Sequence, residues 1–147
     1  MKLLLGLLAL MATMCLANAQ DTIPDITGVW QTASGQILTH EGEVLDLTAM
    51  PSGDIVIEMQ EGPLFFGFYR WHHPDGTRLD DGVAETNRAE ETMLGVFASD
   101  GRSFIMADTP DQGYWFGIVL DENRIELRYL ESGPFAAAGT SIMERAQ

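Results

Sequence analysis

The chain has 147 residues, 22 acidic against eight basic, for a net charge of −14 at neutral pH, and 46% of it is hydrophobic. Length and composition suit a single domain with one core. The acidic excess repels phosphate backbones and anionic lipid surfaces, which sets nucleic acid and membranes aside as partners and otherwise serves solubility.

The first predicted element is an export signal. Lys2 precedes an apolar stretch from Leu3 to Leu16, and Ala17-Asn18-Ala19 stands ahead of Gln20, the layout of a secretory signal peptide. Gly6, Thr13 and Cys15 interrupt the apolar run, which is shorter than the ~20 residues that span a bilayer. Residues 1–19 are therefore expected to be cleaved, leaving residues 20–147 as one domain in the periplasm or outside the cell. Met14 occupies the place where a lipoprotein signal wants a small residue before Cys15, which argues against lipidation there. Cleavage removes the only cysteine and the only lysine, so seven arginines face 22 acidic residues, a balance of −15. Disulfides are then excluded although the compartment permits them.

From Ile26 onward the chain breaks into short β-rich runs. Predicted strands cover 26–33, 44–50, 54–60, 64–72, 91–98, 102–108, 113–120, 124–131 and 137–144, with 36–40 as an extra edge. Ile55, Ile57 and Met59 alternate with Asp54, Glu58 and Gln60, and Ile125, Leu127 and Tyr129 with Arg124, Glu126 and Arg128; period two sends one set into the core. Runs 64–72, 92–98 and 113–120 are continuously apolar, to be covered on both faces or to line a cavity. Between the runs stand Ser52-Gly53, Glu61-Gly62-Pro63, Asp100-Gly101, Asp121-Glu122-Asn123 and Ser132-Gly133-Pro134, all turn chemistry. The longest polar interruption, Pro74 to Glu91, is a loop with room for one helical turn. Such spacing marks an antiparallel meander. The fold class is all-β: an up-and-down barrel of about eight strands, because closure removes edges, with a two-sheet β-sandwich as the alternative.

The opening Ile26-Thr27-Gly28-Val29-Trp30 resembles the first strand of the lipocalin and avidin-like (calycin) barrels, which begin Gly-x-Trp. The resemblance implies a tryptophan packed across the closed end and an arginine from the last strand laid over its indole, here Trp30 and Arg145, with Gly28 allowing close approach. Biotin is not implied. Biotin-binding members carry an asparagine two residues after the tryptophan and a serine six after, where this chain has Thr32 and Gln36; Gly35 does match. The tail, Leu127 to Glu131 and Ala136 to Gly139, is also similar to that of short exported bacterial proteins of unassigned function.

Aromatic residues crowd two runs, with Phe65, Phe66, Phe68, Tyr69 and Trp71 in one and Tyr114, Trp115 and Phe116 in the other. They are enough to fill a core, line an apolar pocket or form an outer adhesive patch. Phe66, Phe68, Trp71, Tyr114 and Trp115 are the candidate ligand-binding residues, and Gly67 and Gly117 beside these rings would leave room for a ligand if they face inward. His72-His73 with Asp75, Asp80 and Asp81 gathers metal-type side chains, but adjacent strand residues point apart and no zinc or calcium spacing is present. Neither a metal nor a cofactor is expected. Ser34, His40 and Glu41 lack a nucleophile elbow, and Glu90-Glu91 and Asp80-Asp81 read as solvated, ionised pairs, so no catalytic set is assigned and the chain is not expected to be an enzyme.

Three functions follow. The first is a binder of a small, mostly apolar ligand, the second a protein-binding module such as an exported inhibitor or envelope factor, and the third a barrel enzyme of isomerase or cyclase type. Inward aromatics around an open interior favour the first. A filled interior with outward aromatics favours the second, and the third needs a buried carboxylate or histidine.

Overall fold

The computed structural model describes residues 23–49, 52–72, 90–109, 113–134 and 136–147. The expected export signal at 1–19, and His73, Asp75, Asp80 and Asp81 of the long loop, lie outside the described residues. The strands are β1 Gly28–Thr39, β2 Val44–Asp46, β3 Ser52–Glu61, β4 Leu64–His72, β5 Glu90–Phe97, β6 Ser103–Thr109, β7 Gly113–Asp121, β8 Arg124–Glu131 and β9 Ala137–Arg145. From β3 on, each strand pairs antiparallel with the next, and β9 returns to pair with β1 while β1 also pairs with β3. Eight strands thus close an up-and-down barrel, not a sandwich, and β2 is an additional edge on β1. Closure leaves none of the eight with an unpaired edge along its full length.

Three local departures from the expected strands have physical causes. Runs 26–33 and 36–40 are one strand, because a bulge at Ala33 moves the pairing from Thr32 opposite Met143 to Ser34 opposite Ile142. The bulge shifts the inward parity by one, so that Gly35 faces the buried Ser141. The second strand stops at Asp46, whose carboxylate accepts the Thr48 N–H and hydroxyl at 2.8 Å each and bends the chain into a 3-10 turn at Leu47–Ala49. A second bulge, at Glu58, shifts β3 against β4 between Ile57 and Met59, and Met59, expected in the core, is 55% exposed.

One end of the barrel, where β1 begins and β9 ends, is sealed by packing. Phe65, Phe97 and Phe104 meet edge to face with centroids 5.4 to 5.6 Å apart, an arrangement the ring quadrupole favours. Directly across the sheet from two of them stand Gly95 and Gly117. A Cβ on Gly95 would lie 2.1 Å from the Phe65 ring, and one on Gly117 would lie 1.9 Å from Phe104. These glycines therefore admit rings that already fill the space, which overturns the expectation that Gly117 leaves room for a ligand. Gly67 is closed as well, since its Cβ would lie 2.0 Å from the Val56 carbonyl oxygen.

The cap on this end is built from Trp30 and Arg145. Trp30 is fully buried and its indole N–H donates to the Ile26 carbonyl at 2.9 Å. The Arg145 guanidinium lies 4.3 Å from the indole ring centre and donates to the carbonyls of Thr27, Asp25 and Glu122. It thereby ties the segment before β1 to the β7–β8 turn. Gly28 is required twice over: its φ is +124°, and a Cβ would stand 3.1 Å from the Arg145 Nη1. Gln60 accepts the Ile26 N–H and donates to the Pro24 carbonyl, both at 2.9 Å, holding the same segment from β3.

Candidate functional site

The opposite end, the mouth, gathers the end of β4, the start of β5, the end of β6, the start of β7, the end of β8 and the start of β9. Its interior is chemically unlike the base. Strand parity that puts Phe65 and Gly67 inside also puts Tyr69 inside; the parity of Met93 turns Glu91 inward, and that of Phe104 and Met106 turns Asp108 inward. Tyr69 stands opposite Glu91, Met93 opposite Asp108, and Trp115 opposite Tyr129. Glu91 is 4% exposed and Asp108 7%, so the reading of Glu90-Glu91 as a solvated pair is corrected: Glu90 faces out to Arg70 at 2.6 Å, and Glu91 is buried.

Trp115 packs at a tilt against two tyrosines, 5.3 Å from the Tyr69 ring at 46° and 4.4 Å from that of Tyr129 at 42°. Asp108 holds it there. One carboxylate oxygen accepts the indole N–H at 2.9 Å, and the other accepts the Gly113 backbone N–H at 2.9 Å. Gly113 is a glycine because a Cβ would fall 2.5 Å from that carboxylate. Tyr129 donates its hydroxyl to Glu131 at 2.9 Å. Burial, with the Glu91 charge next, pushes the Tyr69 hydroxyl far above its ordinary value. Burial and the hydrogen bond to Glu131 do the same for Tyr129, with Asp108 and Glu91 adding to it. Both tyrosines stay protonated across the physiological range.

Of the candidate ligand residues, only Trp115 is shown inside. Phe66 and Phe68 point outward, packed edge to face at 5.1 Å, with Arg70 over Phe68 at 5.8 Å. Tyr114 is half exposed on the outer face. Trp71 sits in β4 opposite Gly53, and its side chain lies outside the described residues. The inward partners of Trp115 are Tyr69 and Tyr129. Leu64 to Trp71 is apolar on both faces, so nothing in the order of residues separated Tyr69 from Phe66 and Phe68. The outward aromatics form rows across the sheet, with Phe66, Leu94, Ala107, Tyr114 and Leu130 successive cross-strand neighbours, and Leu64, Val96, Ile105 and Phe116 another set. Among the described residues no three His, Cys, Asp or Glu side chains gather closely enough to hold a metal ion.

No family model matches the chain, and no curated protein matches it in sequence. Among solved structures it is similar to designed barrels. One is a redesigned β-barrel, b11L5F_LGL, at 9% identity and TM-score 0.45 over 90% of this chain and 98% of that one. Another is a de novo designed fluorescence-activating β-barrel, at 15% identity and TM-score 0.43 over 89% and 100%. A third is EF1p2_mFAP2b bound to DFHBI, at 10% identity and TM-score 0.47 over 86% and 95%. Overlap at this level adds nothing to the topology visible in the strand pairing, so the chain's own side chains carry the functional reading.

Proposed function

We propose that this chain is an exported, calycin-type barrel that binds a small, mostly apolar ligand in its mouth half and is not an enzyme. The observation that carries the reading is the asymmetry of the interior. The base is packed with hydrocarbon and capped, whereas the mouth turns Tyr69, Trp115 and Tyr129 inward together with Glu91, Asp108 and Ser141. Filling a core requires no buried carboxylate, and placing one there is costly. Apolar and aromatic walls with a few convergent polar groups are what small-molecule sites are made of. The ligand wall is thus assigned to Tyr69, Trp115 and Tyr129, with Met93 and Met106 beneath. The cap of Trp30, Arg145 and Gly28 supports the calycin likeness, and the Lys2 and Ala17-Asn18-Ala19 pattern supports export to the periplasm or beyond. Against turnover stand the two donors that Asp108 already accepts and the protonated state of both tyrosines, which leaves neither as a base near neutral pH.

A second reading is favoured by the outer rows of Leu64, Phe66, Leu94, Val96, Tyr114 and Phe116: a protein-binding module that docks through this face. Mass spectrometry of the natively purified protein, followed by a thermal-shift screen of apolar small molecules, separates the two. A ligand at one hundred times its dissociation constant adds about 2.7 kcal/mol to the folded state and should quench Trp115. Absence of a carried molecule, of any thermal shift and of quenching would transfer the function to the outer face.

A further inference from the structure

Three neighbouring strands carry no charge on their outer face. The outward positions of β5 from Thr92 to Val96, of β6 from Ser103 to Thr109 and of β7 from Tyr114 to Leu120 are all apolar or hydroxylic, and β4 adds Leu64, Phe66 and Phe68. The ion pair of Arg70 with Glu90 bounds this face toward the mouth. The strands on either side are charged, with Asp54 and Glu58 on β3 and Arg124, Glu126 and Arg128 on β8. In a chain with 20% charged residues, an uncharged face four strands wide works against solubility and calls for a partner. Leu64 and Leu94 are 59% and 58% exposed, Tyr114 50% and Phe116 45%. They stand in two adjacent cross-strand rows, so the patch is contiguous, the mark of an interface. It reaches the base end, where the turns at 61–63, 98–102 and 121–123 all belong to the described residues. Side-chain size is graded across the same face. The middle strands β5 and β6 present Leu94, Val96, Ile105 and Ala107, whereas the large rings flank them, Phe66 and Phe68 on β4 and Tyr114 and Phe116 on β7. A barrel wall is convex, and larger side chains on either side of its crest level it.

We infer that this face holds a second copy of the chain in a two-fold dimer, with β5 and β6 of one copy against β5 and β6 of the other. A two-fold contact sets a surface against itself, so any charge near the axis meets its own sign. At −14 per chain the copies repel at long range, and the uncharged face is where they can meet with no carboxylate set against another. A basic partner is better served by the carboxylates elsewhere on the wall, because this face offers it none. The levelled crest measures about 20 Å across four strands and about 20 Å along them. The side chains standing on it bring its accessible area to about 600–800 Å², what a specific interface buries on each partner. Contacts of that size without ion pairs give a dimer of moderate strength, with a dissociation constant of about 10 µM. The inference does not rest on the ligand-binding reading. It puts the chain itself in place of the unrelated protein of the second reading.

Sedimentation velocity of the purified protein, from about 1 to about 200 µM, tests the dimer by mass action. The sedimentation coefficient should rise with concentration from that of one chain to that of two. Raising salt from about 0.02 to about 0.5 M should tighten the dimer several-fold, because it screens the repulsion between the copies and there are no ion pairs to weaken. Leu94→Lys on β5 and Ile105→Lys on β6 should each weaken it by about tenfold or more, although each lowers the net negative charge. Both side chains already face water, so far-UV circular dichroism should show the fold retained, and if one variant fails to fold the other carries the comparison. Thr140→Lys, on the outer face of β9 and outside the patch, should leave the dimer as it is. A single chain at every concentration overturns the inference, as does a dimer that salt dissociates, that both patch variants leave unchanged, or that Thr140→Lys weakens equally. A chain that stays single and binds a different protein through Leu94 and Ile105 overturns it too. None of these results touches the barrel interior, so the ligand-binding reading stands or falls by its own screen.

Discussion

Replacing Trp30 tests the cap directly, because the whole indole is buried and its one polar atom is satisfied. Trp30→Ala removes the largest side chain of the base and leaves the Ile26 carbonyl without its donor. Emptying a site of that size costs about 3–5 kcal/mol, and the abandoned carbonyl adds to it. Arg145→Ala is a different loss: three backbone carbonyls lose their donors and the ring loses its cation, for about 2–3 kcal/mol, since each net hydrogen bond contributes about 1 kcal/mol. Arg145→Lys should recover little, because an ammonium cannot fork to Thr27, Asp25 and Glu122 at once. With the guanidinium 4.3 Å from the indole centre, the double variant should cost less than the sum of the single variants by about 0.5–2 kcal/mol. Urea unfolding followed by far-UV circular dichroism reads these numbers, and an unchanged m-value assigns them to stability. Strict additivity, or a Trp30→Ala variant within about 1 kcal/mol of the parent, would refute the cap as described.

Gly117→Ala should destabilise by about 1–3 kcal/mol through overpacking against Phe104. Adding Phe104→Leu in that background should cost less than it does in the parent, because the smaller side chain makes room for the new methyl. Acid should weaken the β5–β6 turn through Asp100, which accepts the Arg102 and Ser103 N–H groups and the Ser103 hydroxyl at 2.7–2.9 Å. Those bonds, the Ser103 hydroxyl foremost, lower its pKa from 3.8 to about 2. A depressed carboxylate contributes stability that is fully present above its unfolded value and is lost as pH falls through the folded one. The difference in urea midpoint between the parent and Asp100→Asn should therefore be constant above pH 4 and shrink between pH 4 and 2; a difference that stays flat over that window would remove Asp100 from the account.

Much of the barrel is legible in the order of residues. Alternation of Ile125, Leu127 and Tyr129 against charged neighbours admits one strand orientation, and Asp100-Gly101 fixes one hairpin whatever surrounds it, because both are properties of adjacent residues. The pairing of Trp30 with Arg145 was suggested by resemblance, and their contact became visible only in the closed fold, since the two are joined through β1 and β9 pairing across almost the whole described chain. Parity in the continuously apolar strands is where sequence alone ran out. In Leu64 to Trp71 both faces are apolar, so period two carries no sign, and Phe66 and Phe68 were as eligible for the interior as Phe65 and Tyr69. The bulges at Ala33 and Glu58 are equally silent in composition, yet each exchanges the inward and outward sets beyond it. Glu91 and Asp108 look like ordinary solvated acids until the barrel closes. Only then does the register turn them inward, because a strand must point every second side chain at the core, and the mouth is where this chain sets carboxylates against aromatic rings.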